Sequence, residues 1–101
     1  MTVEDKGYLE KNTDSIRVTV ACKHLLLRDG LSKILEGDKR IEVVAKASNL
    51  LDLVQSCEEF KSNVLLLDVD LRGLNLTKML DLLKKNKGTK VILILDRLLL
   101  K

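Results

Sequence analysis

Asp68 is the residue of this chain best placed to do chemistry, because it ends the apolar run Val64-Leu65-Leu66-Leu67. A run of that length, apolar at every position, reads as a parallel-sheet strand buried on both faces. Its carboxylate then falls at the carboxyl edge of the sheet, where open α/β folds keep their sites. An earlier run, Ile16-Arg17-Val18-Thr19-Val20-Ala21, ends instead on a thiol and an ammonium, Cys22 and Lys23. Lys23 reaching Asp68 would give an internal ion pair; the bland reading is a solvated strand end beside a surface lysine. His24, the single histidine, follows at once, but Cys22-x-His24 with Asp68 supplies three ligands where a closed zinc site needs four. His24 therefore reads as a residue at the start of the next helix. Cys22 as a nucleophile lacks a base and an orienting group. Neither G-x-x-x-x-G-K nor G-x-G-x-x-G occurs, so a phosphate-cradling loop is not indicated.

The elements that must hold these groups alternate strictly. A strand over Ile16–Cys22 leads to a helix carrying Leu27, Leu31, Ile34 and Leu35, stopped at Gly37. A second strand over Ile41–Ala45 leads to Ser48 as a helix cap and to the stripe Leu50, Leu53, Val54 and Cys57, which makes Cys57 a core residue. The third strand is Asn63–Asp68, followed by a loop through Arg72-Gly73 and a helix carrying Leu76, Met79, Leu80 and Leu83, closed by Gly88. Lys90–Leu95 is a fourth apolar strand. Strand and helix in alternation imply right-handed crossovers and a parallel sheet covered on both faces. The chain divides into a polar leader (1–15), one domain (16–96) and an apolar tail (97–101).

Composition bounds the function. A chain of 101 residues builds one domain, able to bury roughly 60–65% of its unfolded surface without staples. Two cysteines in apolar segments, without C-x-x-C spacing, fit a reduced cytoplasmic setting. No signal peptide or membrane-length apolar run is visible. The net charge of +3 divides into −2 on residues 1–15 and +5 on the rest. The one basic cluster, Lys84, Lys85, Lys87 and Lys90, reads as a solvated helix end. With one Tyr, one Phe and no Trp there is no aromatic platform for single-stranded nucleic acid, and no recognition helix is present.

Taken jointly, Ile16-Arg17-Val18, His24, Leu31 to Asp38, Ile41-Glu42-Val43-Val44, Ala47-Ser48-Asn49, Val64 to Val69, Gly73 and Thr89-Lys90-Val91-Ile92 resemble the receiver domain of bacterial two-component response regulators. The subgroup most resembled is the one whose receivers precede a LuxR-type helix-turn-helix. The resemblance covers about Ile16 to Asp96. It implies a flavodoxin-like, three-layer α/β/α sandwich with a parallel sheet in the order 2-1-3-4, lacking the family's fifth strand and last two helices. It also implies that Asp68 stands at the phosphoacceptor position, Cys22 and Lys23 at the acidic pair that binds Mg²⁺, Asp70 at the metal-binding carbonyl, and Leu95 at the switch hydroxyl. The family's lysine after the fifth strand has no counterpart.

A thiol and an ammonium give Mg²⁺ no oxygen, and Leu95 cannot hydrogen-bond a phosphoryl group. Phosphoryl transfer depends on neutralising and positioning charge, so the expectation is a pseudo-receiver with no catalytic residue, no metal and no cofactor. It would act in signalling or transcription regulation by contact, as a homodimer. The dimer would form through Val91, Leu93, Ile94 and Leu95 of an open fourth strand and through Leu98, Leu99 and Leu100. A histidine kinase or another regulator is the other partner expected; nucleic acid and membrane are not. The alternatives are a receiver that still takes a phosphoryl group on Asp68, and the N-terminal piece of a LuxR-type DNA-binding regulator.

Overall fold

The computed structural model describes residues 15–95. The leader and tail, with Leu98, Leu99 and Leu100, lie outside these residues apart from Ser15. The elements are β1 (Ile16–Ala21), α1 (Leu25–Glu36), β2 (Ile41–Ala47), α2 (Leu50–Glu59), β3 (Val64–Asp68), α3 (Leu76–Lys85) and β4 (Lys90–Ile94). All strand pairs are parallel, in the order β2-β1-β3-β4. The alternation of apolar runs with helical stripes predicts a parallel sheet, and this is the flavodoxin-like order that the resemblance to receivers implies.

Valine, leucine and isoleucine fill β1 and β3 because those central strands are enclosed from both faces: Val18, Val20, Ala21, Leu65 and Leu67 are buried. The core lies between the sheet and the helices α2 and α3, where Leu53, Leu65, Leu67, Leu71 and Leu82 meet, with Cys57, Met79 and Val91 packed against them. Burial pushes the Cys57 thiol above its ordinary pKa, with the Glu58 carboxylate adding to the effect. On β2 the register moves from Val18–Val43 to Thr19–Ala45, so Val44 is an extra residue opposite β1.

Two helices sit at a different phase from the one their apolar residues suggest. In α1 the inward stripe is Arg28, Leu31, Ser32 and Leu35, and Ile34 is 76% exposed. Ser32 tolerates burial because its hydroxyl donates to the Arg28 carbonyl at 2.8 Å, one turn back. In α3, Met79 and Leu82 face the core while Leu76, Leu80 and Leu83 are exposed. Helix α2 is capped one residue later than Ser48: Asn49 Oδ1 accepts from Asp52 N–H at 2.8 Å, and Asn75 likewise accepts from Lys78 N–H at 2.9 Å at the start of α3.

Between β3 and α3 the chain crosses the carboxyl edge of the sheet and is tied to α2, where Leu50 N–H donates to the Arg72 carbonyl at 2.8 Å. The next residue, Gly73, has φ of +90°, and a Cβ there would stand 3.1 Å from the Leu50 Cβ. Glycine meets both the left-handed backbone and the close approach.

Candidate functional site at the carboxyl edge

Asp68 ends β3 and is 1% exposed. A carboxylate so enclosed must be hydrogen-bonded, and the fold supplies donors from two turns. Oδ1 accepts from Asp70 N–H at 2.9 Å, within its own loop. Oδ2 accepts from Lys23 N–H at 3.2 Å and from the Cys22 thiol at 3.6 Å, both just past the end of β1. Cys22 is fully buried and is fixed by its own N–H donating to the Ala47 carbonyl of β2 at 2.9 Å. The site is thus a buried carboxylate held by two backbone amides and a thiol, sitting over the middle of the sheet where β1 and β3 are neighbours.

The expected Lys23–Asp68 ion pair does not form: no Lys23 ammonium lies within 4.0 Å of Asp68. Lys23 engages Asp68 through its main chain instead. The physical reason is that the carboxylate already has three donors, while burying an ammonium beside it would cost the desolvation of a second charge. Sequence reasoning brought Cys22, Lys23, Asp68 and Asp70 to one place, but it missed the two backbone N–H donors. A main-chain donor leaves no signature in residue type.

The remaining sequence-derived positions fall as follows. Leu95 comes just after β4 and is exposed; its side chain offers no hydrogen-bonding group. Of the residues assigned to an interface, Leu93 and Leu95 are exposed, whereas Val91 packs against the core and Ile94 is half-buried. Ile92, which was not among them, is exposed. His24 is the N-cap of α1, with its imidazole making no cap hydrogen bond. Cys22, His24 and Asp68 do not assemble into a ligand cluster, and among the described residues no three His, Cys, Asp or Glu side chains could share a metal ion. No helix among them is long and apolar enough to cross a membrane.

No protein-family model matches the chain. It is 35% identical over 82 residues to protein-glutamate methylesterase/protein-glutamine glutaminase 1 of Paramagnetospirillum magneticum, covering 80% of this chain and 22% of that protein. It is 30% identical over 79 residues to the nitrate/nitrite response regulator protein NarP of Escherichia coli, covering 78% of this chain and 37% of that one. Among solved structures it is similar to the response regulator domain of Thermotoga maritima CheB, with a TM-score of 0.69, 30% identity and coverage of 78% of this chain and 59% of that chain. The strand order, the position of Asp68 and these similarities define one class: the described residues form a receiver domain of a response regulator. The chain spans between 22% and 37% of the curated relatives it matches.

Proposed function

We propose that this chain is a signalling receiver that works by protein–protein contact rather than by phosphoryl transfer. The observation that carries this reading is the state of Asp68, enclosed with a hydrogen-bond donor on each carboxylate oxygen. The Mg²⁺ of related receivers does not fit the donor set. Mg²⁺ asks for near-octahedral oxygen ligation, whereas Cys22 and Lys23 bring a thiol and an ammonium. Without a cation, a second buried charge beside Asp68 would be unfavourable, and the hydrogen bonds that each carboxylate oxygen accepts make it a weaker nucleophile. The partner is a histidine kinase or another regulator recognised by surface contact. The similarity to a methylesterase covers 22% of that protein, and no enzymatic activity is assigned to this chain.

The test is incubation with acetyl phosphate and Mg²⁺, read by intact mass, with beryllofluoride binding as a second readout. Neither a phosphoryl adduct nor Mg²⁺-dependent beryllofluoride binding is expected. An adduct that disappears in Asp68→Asn would overturn the reading.

Self-association through the edge strand belongs to the same proposal. It is supported by Ile92, Leu93 and Leu95, exposed apolar residues on and beside a strand paired along one side among the described residues. Sedimentation equilibrium of the chain and of Leu93→Lys at micromolar concentration checks it: a monomeric parent chain would sink the dimer. A second reading, a receiver within a longer transcription regulator, is favoured by the similarity to the transcriptional regulatory protein DegU of Brevibacillus brevis, 27% identical and spanned to 36% of its length. In that case the same apolar surface is covered by further chain.

A further inference from the structure

We infer that a cleft at the amino edge of the sheet, opposite Asp68, is a binding site for a small anion with clustered charge beside a flat apolar group, the chemistry of a nucleoside polyphosphate. The cleft has a volume of about 460 Å³, within the range of small-molecule sites. Its floor is apolar, built from Cys57, Leu65, Leu67, Leu82 and Val91. Its rim carries Arg17, Lys61, Lys85 and Lys87, and no Asp or Glu lines it. These cations come from three separate parts of the chain: the start of β1, the turn after α2 and the end of α3 with its following turn. Only the fold gathers them.

Three of the four cations have no ion pair among the described residues: no carboxylate lies within 4.0 Å of Lys61, Lys85 or Lys87. Arg17 makes a single long contact of 3.9 Å to Glu42, and its Nε donates to the Lys61 carbonyl at 2.8 Å, which holds the guanidinium beside the turn. Glu58 and Asp81 do not line this cleft but the adjoining groove between α2 and α3, which Lys85 borders as well.

Helix dipoles explain part of the lysine placement but not the whole. The C-termini of α2 and α3 both end here, and each is equivalent to about half a negative charge. Four full positive charges line the cleft and no carboxylate does. Even with the two helix ends, with Glu42 beside Arg17 and with Glu58 and Asp81 in the next groove, the excess in the cleft is positive. That excess is repulsive in the empty protein and attractive to a polyanion. Phe60 lines the same cleft and is 40% exposed, available for stacking on a flat ring. At Gly88, also in the lining, a Cβ would meet nothing within 4 Å, so the main chain of this turn can be approached closely.

The test is calorimetry on the full chain at low ionic strength and without divalent ions, using ATP, inorganic tripolyphosphate and adenosine as probes. ATP should bind with a Kd below about 1 mM, and tripolyphosphate, which has no ring to stack on Phe60, should bind about fivefold or more weakly. Adenosine should bind more weakly than ATP. The double variant Lys85→Met/Lys87→Met should weaken ATP about tenfold, Phe60→Ala should remove the preference for ATP over tripolyphosphate, and Lys33→Met should change neither. Amide shifts on adding ATP should map to residues 60–63 and 86–89. No ATP binding below about 5 mM, shifts centred elsewhere, or equal affinity for ATP and tripolyphosphate in the parent chain would each overturn the inference. Loss of this site would leave the reading of Asp68 untouched, because the two lie at opposite edges.

Discussion

The two edges of the sheet carry opposite charge and treat it in opposite ways. At the carboxyl edge a single carboxylate, Asp68, is enclosed and given a donor for each oxygen. At the amino edge four cations surround an open cleft, and three of them have no ion pair among the described residues. The sign at each edge follows from the parallel α/β architecture, since helix N-termini face the strand ends and helix C-termini face the strand starts. The difference in treatment does not follow from the architecture. A satisfied, inaccessible charge is suited to specifying structure, and an unsatisfied, accessible one is suited to meeting a ligand. In this receiver Asp68 is of the first kind.

The strongest way to break that comparison is to remove the enclosed carboxylate. Asp68→Ala removes the carboxylate to which the Lys23 and Asp70 N–H groups and the Cys22 thiol donate, at a position 1% exposed. We expect a loss of about 3 kcal/mol in urea unfolding, the upper range for orphaning buried donors. Lys23→Met should change stability by no more than about 0.5 kcal/mol, since Lys23 reaches Asp68 by its main chain. If Lys23→Met were as costly as Asp68→Ala, the ammonium would be the true partner and the comparison would fail.

A smaller effect is expected at Gly73, which turns the chain away from the Asp68 site toward α3. Gly73→Ala forces an L side chain into φ of +90° and places its Cβ 3.1 Å from the Leu50 Cβ, an atom fixed to the start of α2. The expected cost is about 1–2 kcal/mol, and amide exchange should quicken at Leu50, whose N–H donates to Arg72. A neutral substitution would show that this loop adapts and that the carboxyl edge is less rigid than the enclosed carboxylate suggests.

How much of this the sequence discloses depends on the range over which each feature is specified. The strands were legible because Val64–Leu67 and Val91–Ile94 are apolar at every position; burial on both faces demands that of β3, whereas β4 carries the same pattern with Ile92 and Leu93 exposed. Their order followed from the resemblance to receivers. The phases of α1 and α3 were not legible: leucine and isoleucine lie all round both helices, and burying Ser32 depends on a hydrogen bond to its own helix. Cys22, Lys23 and Asp68 could be brought together from strand ends alone, but which atom of Lys23 faces Asp68 is a matter of backbone direction. The amino-edge cluster was invisible, since Arg17 and Lys61 are remote in sequence from Lys85 and Lys87 and only the β1–β3 and β3–β4 pairings unite them.

The smallest expected effect lies at the far end of the amino edge, in the turn before β2, and it sharpens the contrast between cations with and without a partner. Arg40 there is paired: its guanidinium donates to Asp38 at 2.8 and 3.1 Å, and its backbone N–H donates to the same carboxylate at 2.8 Å. The guanidinium hydrogen bonds, followed by the backbone one, lower the Asp38 pKa from 3.8 to about 2. A carboxylate whose folded pKa is depressed stabilises the fold above its unfolded pKa, and that contribution is lost as pH falls toward the folded one. Asp38→Asn should therefore be slightly less stable than the parent at neutral pH. The difference should shrink between about pH 4 and about pH 2 and be weakened by salt, because the pair is solvent-exposed. Thermal unfolding of both proteins across that interval checks this. No difference at any pH would mean that Asp38 serves the turn through its backbone, which asparagine keeps and where the carbonyl accepts from Ile41 N–H at 3.0 Å, and not through its charge.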